Sequence, residues 1–153
     1  MKTLLKGLKT FFLICLSIPI ILILLYILLS IGVSIANDIN ASRYQKDFCK
    51  LELPQDTSIV DSEYSIGHFD GNGNGTRYYL SMIIQTDLSL DELEEYYQNL
   101  DKDIKIQNFN DDAKDDYQFS YSKIEEYPED YYLISTIEEP NNTLLYELDL
   151  RGH

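Results

Sequence analysis

The feature that most constrains this chain is an uncharged, mostly apolar run from residue 11 to residue 35. A helix that crosses a membrane needs about 20 such residues, so a run of this length predicts a crossing with some tilt. We assign residues 11–36 to a transmembrane helix in contact with the lipid bilayer. Residues 1–10 become a cytoplasmic N-terminal tail.

A cleaved signal peptide is the alternative interpretation of the same segment. Lys2, Lys6 and Lys9 resemble a basic leader, and residues 34–36 (Ser-Ile-Ala) resemble a cleavage site. The apolar part of a signal peptide is usually about 7–15 residues, however, and this run is much longer. The length therefore favours a retained anchor.

Basic residues flank the run almost equally, because Arg43, Lys46 and Lys50 follow it. The positive-inside rule alone therefore gives nearly a tie. The short tail resembles that of a signal anchor, and long C-terminal domains translocate largely regardless of charge. We predict a single-pass protein of the cell membrane with its N-terminus inside and its C-terminal domain outside.

The part of the chain after the run is strongly acidic. It carries nine Lys and Arg against 26 Asp and Glu, a formal charge of −17. Nucleic-acid binding needs a basic patch, so we exclude it. The charge also disfavours a domain lying flat on anionic lipid. It favours a solvated domain, or one that meets a basic protein or peptide partner.

Patterns along the outer part predict one small α+β domain. Residues 37–53 continue the helix as a juxtamembrane stalk that ends before Pro54, and residues 54–153 form the extracytoplasmic domain. Alternating or β-rich segments predict strands over residues 58–69, 76–86, 117–124, 131–137 and 143–150, with a short strand at 104–106. The order ββαβββ predicts an antiparallel sheet with one packed helix.

Side-chain periodicity predicts which faces are buried. In the first strand Val60, Tyr64 and Ile66 share a face. The second strand has apolar residues on both faces, so we expect it to be covered on both sides: Tyr78, Leu80, Met82 and Ile84 on one, Tyr79 and Ile83 on the other. We expect one tyrosine of each strand doublet to be buried and the other exposed.

A capping box and helical spacing predict the one helix of this domain. Ser89 and Glu92 form the box, and acidic residues fill the first turn. Leu93, Tyr97 and Leu100 then recur at helical spacing, which predicts a helix over residues 90–100.

Residues 70–75 read DGNGNG, which matches the first half of an EF-hand calcium loop. Asp70, Asn72 and Asn74 would be the metal ligands, but the twelfth position, where a bidentate Glu is needed, is Ser81. Both flanks alternate like strands, and Asn-Gly is a strong hairpin signal. We predict a hairpin turn, with a weak divalent-cation site as the alternative function.

Catalytic groups are scarce in this sequence. His68 and His153 are the only histidines, and no nucleophile motif frames His68. An enzyme that uses His68 with nearby acids or serines is a remote third hypothesis. Cys15 lies within the apolar run, so only Cys49 and one or two histidines remain, which are too few ligands for a zinc site. We predict no catalytic residues, no cofactor and no enzyme activity.

Two pairs of small residues in the apolar run could support a homodimer. Ser30 and Ser34 form one pair, and Gly32 and Ala36 form the other. At about 100° per residue the two pairs face nearly opposite sides of a helix, so they cannot share one interface.

The stretch from Gly71 to Tyr79, GNGNGTRYY, is followed by DLSLDEL at residues 87–93 and by Tyr96-Tyr97. Together with Leu53-Pro54, it resembles a group of small bacterial proteins with one N-terminal membrane anchor. The resemblance covers residues 53–97. It implies a hairpin–helix outer domain of uncharacterised role, with no site residues to transfer. The sequence therefore predicts a membrane-anchored, non-enzymatic binding module.

Overall fold

The computed structural model describes residues 2–67, 75–98, 103–109, 130–140 and 149, with side chains from Lys6 onward. It confirms an α+β protein, in which a long apolar helix precedes a small antiparallel sheet and a short helix. The elements in chain order are α1 (Lys2–Phe48), β1 (Ser58–Gly67), β2 (Arg77–Gln85), α2 (Leu90–Tyr97), β3 (Lys105–Asn108) and β4 (Tyr131–Glu138).

Helix α1 has 47 residues and continues through Pro19. At about 1.5 Å per residue it is roughly 70 Å long, more than twice the hydrocarbon thickness of a bilayer. Large apolar side chains from Leu8 to Leu29 are about half exposed or more. Among the described residues this is the one helix long and apolar enough to cross a membrane.

The second half of α1 packs against the sheet instead of standing free. Its buried residues recur every three or four positions, at Val33, Asn37, Ala41, Gln45 and Phe48. This spacing places them on one helix face. The helix does continue through the predicted stalk, but Ala41 and Phe48 belong to the core of the domain. Packing of α1 on the folded unit thus begins near Val33, before the boundary we predicted at residue 54.

The four described strands lie in the order β1-β2-β4-β3, and every neighbouring pair is antiparallel. Strands β2 and β3, joined through α2, are therefore parallel to each other with β4 inserted between them. This is a split β-α-β arrangement. The predicted strands over residues 117–124 and 143–150 lie outside the described residues.

Strand β1 contains one irregularity that changes its predicted faces. Ile59 pairs with Ile84 and Asp61 with Ile83, so Val60 is an extra residue, a β-bulge. Beyond the bulge Ile66 packs on the core as expected. Before it, Ile59 packs there in place of Val60. A bulge shifts by one residue the alternation of side chains between the two faces of the strand. A strict two-residue pattern in the sequence does not show where such a shift occurs.

Strand β2 is buried on both faces, as its sequence predicts. Tyr78, Leu80, Met82 and Ile84 are fully buried and join Phe48 and α2 in one cluster. On the opposite face, Tyr79 and Ile83 are 2% and 0% exposed. The expectation of one exposed tyrosine in this doublet is therefore wrong, because a central strand covered on both sides has no exposed face.

Helix α2 begins where the capping box predicts. The Ser89 hydroxyl accepts the Glu92 backbone N–H, and the Glu92 carboxylate accepts the Ser89 backbone N–H at 2.8 Å. This backbone hydrogen bond, together with one from the Ser89 hydroxyl, lowers the pKa of Glu92. Leu93 and Tyr97 are buried as expected. The helix ends at Tyr97, and Leu100 lies outside the described residues.

A glutamine side chain joins α1 to the central strand. The Gln45 amide nitrogen donates to the Ser81 carbonyl oxygen at 2.7 Å, and its amide oxygen accepts the Ser81 N–H at 3.3 Å. Gln45 is 7% exposed and Ser81 is fully buried. Hydrogen bonds shielded from water in this way stabilise one register of the helix on the sheet.

We expect Gln45→Glu to destabilise the folded domain by about 1–3 kcal/mol, because a carboxylate cannot donate to the Ser81 carbonyl oxygen. Chemical denaturation of the full chain in lipid nanodiscs measures this. The folded state can be followed by tyrosine near-UV circular dichroism, since the chain has 13 tyrosines and no tryptophan.

Asp47→Asn is the matched control for Gln45→Glu. It changes the exposed Lys50–Asp47 ion pair on the same helix, and exposed pairs contribute about 0–1 kcal/mol. Equal stabilities of the two variants would contradict a structural role for the Gln45 amide.

Candidate functional site

The predicted DGNGNG turn connects two antiparallel strands rather than two helices. Gly67 pairs with Arg77 at the last step of the β1–β2 ladder, so residues 68–76 form the connection. Gly75 has a φ of 120°, a backbone conformation that favours glycine. The candidate ligands Asp70, Asn72 and Asn74 lie outside the described residues.

The twelfth position of the EF-hand pattern is not placed to bind a cation. Ser81 is fully buried in the middle of β2, and its hydroxyl donates to the Glu63 carbonyl oxygen at 2.9 Å. It therefore belongs to the sheet, and the flanks of the loop are strands. The geometry thus favours the hairpin interpretation of the motif over an EF-hand.

The remaining residues with catalytic or metal-binding chemistry are scattered. His68 and His153 lie outside the described residues. Cys15 is exposed in the apolar part of α1, and Cys49 is a free, partly buried thiol next to Gln45. Within the described ranges, no three His, Cys, Asp or Glu side chains come together as a metal site would require.

A buried polar network lies where the apolar part of α1 meets the folded domain. The Tyr78 hydroxyl donates to Asn37 Oδ1 at 2.6 Å, and Asn37 Nδ2 donates to Asp149 Oδ2 at 2.6 Å. The Ser34 hydroxyl donates to the other Asp149 carboxylate oxygen at 3.2 Å. Asn37, Tyr78 and Asp149 are fully buried. The network thus ties α1, β2 and the C-terminal part of the chain together.

The network also decides between the two small-residue pairs of α1. Ser34 bonds to Asp149, and Ser30 is only 5% exposed, with its hydroxyl donating to the Tyr26 carbonyl oxygen. The chain itself therefore covers the Ser30–Ser34 face. Gly32 is exposed, and a Cβ added there would meet nothing within 4 Å. A homodimer through small residues would have to use the Gly32 side.

An open, acidic groove of about 730 Å³ runs between α2 and β3. Four carboxylates line it, with Lys105 as the one cation among its lining residues, which are Asp91, Glu94, Glu95, Tyr97, Gln98, Asp103, Ile104, Lys105 and Ile106. Asp91, Glu94 and Glu95 are exposed on α2, so their charges face water. A groove with this charge attracts cationic groups and repels anions.

Two tyrosines end α2: Tyr97 lines the groove, and its neighbour Tyr96 lies outside the lining. Tyr96 is 41% exposed, and its ring meets Tyr97 edge-to-face with centroids 5.0 Å apart. Tyr97 is 3% exposed and its hydroxyl donates to the Glu52 carbonyl oxygen at 3.4 Å. Burial, reinforced by Tyr96, raises the pKa of Tyr97 to about 12. Tyr97 therefore stays uncharged where it lines the groove, whereas Tyr96 has an exposed ring that a cation can contact.

Sequence reasoning missed the polar network and the Gln45 contact. Ser34, Asn37 and Gln45 lie within one face of a helix, and this spacing was the available signal. Their partners Tyr78, Ser81 and Asp149 are 36 to 115 residues away along the chain. Local periodicity carries no information about contacts at that separation.

Truncation of Asn37 to alanine removes its hydrogen bonds with Tyr78 and Asp149. We expect a loss of about 2 kcal/mol or more in the free energy of unfolding, because a buried carboxylate loses a donor. Tyr78→Phe deletes only a hydroxyl and should cost about 1 kcal/mol. Denaturation of the full chain in nanodiscs measures both.

Glu95→Ala serves as the control for Asn37→Ala. Glu95 is exposed on α2, where a substitution usually changes stability by less than about 0.5 kcal/mol. If Asn37→Ala were as mild as Glu95→Ala, the network would not stabilise the junction between α1 and the domain.

Comparison of the chain with protein families, with curated proteins and with solved structures found no match. The resemblance of residues 53–97 to small anchored bacterial proteins therefore stays a prediction. No relative supplies an activity or a ligand for this chain. The features of the chain that bear on its function are the long apolar helix, the charge distribution and the groove.

Proposed function

We propose that this protein is a single-pass, membrane-anchored binding module without enzyme activity. Its N-terminus lies inside the cell membrane, and its acidic domain outside binds a basic segment of another protein. The observation that carries the proposal is that one continuous helix, α1, has exposed apolar side chains over a membrane thickness and then enters the core of the acidic domain.

Retention of the helix is supported by contacts on both sides of the candidate cleavage site at residues 34–36. Ser34 precedes the bond after Ala36 that would be cleaved and Asn37 follows it, and both bind the Asp149 carboxylate. The backbone is helical throughout. Cleavage after Ala36 would remove Ser34 and Val33 from the folded unit, so the packing favours an anchor that stays attached.

The basic partner is supported by the groove between α2 and β3. Its carboxylates converge from the exposed face of α2 and from Asp103 on the adjoining segment. Such an arrangement speeds the approach of a cationic chain and selects against acidic ones. Tyr96, outside the groove lining but on the same helix, adds an exposed aromatic ring, a residue type enriched in protein interfaces.

Orientation and retention can be tested together in intact cells. In a background with both cysteines replaced by serine, we expect Gln55→Cys to react with a membrane-impermeant maleimide, and Thr3→Cys to react only after permeabilisation. The membrane fraction should contain the uncleaved chain of 17.8 kDa. The reverse labelling pattern would invert the proposed orientation, and a shorter chain free in solution would contradict the anchor.

The basic partner is tested by site-specific photo-crosslinking in native membranes. A photoreactive residue in place of Tyr96 should capture a partner through a lysine- or arginine-rich segment. The same residue in place of Tyr64, which is 37% exposed on β1, should not. We expect Glu94→Lys/Glu95→Lys to abolish the Tyr96 crosslink, because it reverses the charge of the groove.

A second charge reversal controls for the net charge of the domain. Glu52→Lys/Asp87→Lys changes two exposed carboxylates outside the groove and should leave the Tyr96 crosslink unchanged. Equal loss in both double variants, or no loss in either, would contradict recognition by the groove.

A further inference from the structure

The face of α1 opposite the domain continues without interruption from the apolar run into a pair of cations. Ile35 and Ile39 are 55% and 58% exposed, and Arg43 and Lys46 follow at helical spacing. The buried face, with Asn37, Ala41 and Phe48, lies about half a turn away. The exposed face therefore leads from lipid directly to Arg43 and Lys46.

Arg43 and Lys46 stand out because the other described cations of the domain have partners. Lys50 pairs with Asp47 at 2.7 Å, Arg77 pairs with Glu139 at 3.1 Å, and Lys105 also has an interaction. Among the described lysines and arginines after the apolar run, Arg43 and Lys46 alone have neither an ion pair nor a hydrogen bond from their side chains. In a domain of charge −17, two neighbouring exposed cations without acidic partners are available to an anion from outside the domain.

The height of these cations above the apolar run matches the phosphate layer of a membrane. Measured from Ile39, the last exposed large apolar residue on this face, Arg43 and Lys46 are four and seven residues away, or about 6 and 10 Å along the helix axis. Side chains on a helix lean toward its N-terminus, here toward the bilayer, and long cationic side chains reach several ångströms. The polar layer is roughly 5–8 Å thick on each side of the hydrocarbon. Both cationic groups can thus reach lipid phosphates.

The surface around them has the mixed chemistry of a headgroup site. An open groove of about 520 Å³ is lined by Asp38, Ile39, Ser42, Arg43 and Lys46. Ile39 is apolar, Ser42 supplies a hydroxyl, and the two cations lie farther from the hydrocarbon. The Asp38 carboxylate repels a phosphate, so the phosphate belongs on the Arg43–Lys46 side.

We propose that Arg43 and Lys46 bind the phosphate of an anionic phospholipid in the leaflet on the domain's side. Ile39 lies against the glycerol and upper acyl region of that lipid. The acidic remainder of the domain is repelled by the same surface, so this contact orients the domain upright on the membrane. The inference rests on the proposed membrane anchoring of α1, and it depends neither on the direction of insertion nor on the basic partner.

The test uses the full chain in phosphatidylcholine nanodiscs that contain a trace of spin-labelled phosphatidylglycerol or spin-labelled phosphatidylcholine. Electron paramagnetic resonance measures how strongly the protein selects the anionic lipid. Each cation near a lipid surface strengthens such binding by up to about fivefold. We expect Arg43→Gln/Lys46→Gln to reduce the selectivity severalfold, and 1 M salt to reduce it in the wild type.

Two matched variants make the outcome specific. Lys50→Gln/Lys105→Gln removes the same charge from elsewhere in the domain and should retain the wild-type selectivity. Lys6→Gln/Lys9→Gln removes charge near the opposite leaflet, and its loss should add to that of Arg43→Gln/Lys46→Gln. Circular dichroism of each variant verifies that the domain is folded.

Several results would overturn the proposal. Wild-type selectivity in Arg43→Gln/Lys46→Gln, or an equal loss in Lys50→Gln/Lys105→Gln, would remove the specific site. Competition by millimolar inorganic phosphate would indicate a soluble anion in place of a lipid. If the wild type had two copies per nanodisc and Arg43→Gln/Lys46→Gln had one, these two residues would contact a second chain instead of a lipid. A wild-type chain that fails to insert into nanodiscs would instead contradict the proposed anchoring.

Discussion

The structure depends on one helix that must satisfy two different environments. From residue 11 to residue 29 the side chains of α1 are exposed on every side and mostly apolar, as a lipid environment would require. From Ser30 to Phe48 one face is buried, and the opposite face carries Arg43 and Lys46. Because the helix runs without a break through this change, the domain is built directly onto the apolar helix and not suspended from a linker.

Polar contacts fix where the domain sits along this helix. Asn37 and Gln45 are eight residues apart, about 12 Å in a helix, and their partners Tyr78 and Ser81 are three residues apart, about 10 Å in a strand. The two spacings nearly match, so α1 and β2 can run side by side in the same direction. Apolar contacts alone would tolerate sliding, whereas buried amides lose hydrogen bonds at any other register.

Charge divides the domain into two kinds of surface. The groove between α2 and β3 collects carboxylates, and the exposed face of α1 carries the cations without acidic partners. An acidic domain close to an anionic membrane is repelled from it. If Arg43 and Lys46 are held at the membrane surface, only the parts of the domain farther from them are repelled. The acidic groove would then face solvent and basic partners.

Local periodicity and turn chemistry were enough to predict the apolar helix, the hairpin, the two-sided burial of β2 and the capped start of α2. The linear sequence also shows that DGNGNG lacks a closing carboxylate. Three-dimensional packing was needed to establish that Ala41 and Phe48 belong to the core, that Val60 is a bulge, and that Ser34 faces Asp149 instead of a second helix. Those outcomes depend on contacts between residues far apart in the chain, which the chain's local pattern does not encode.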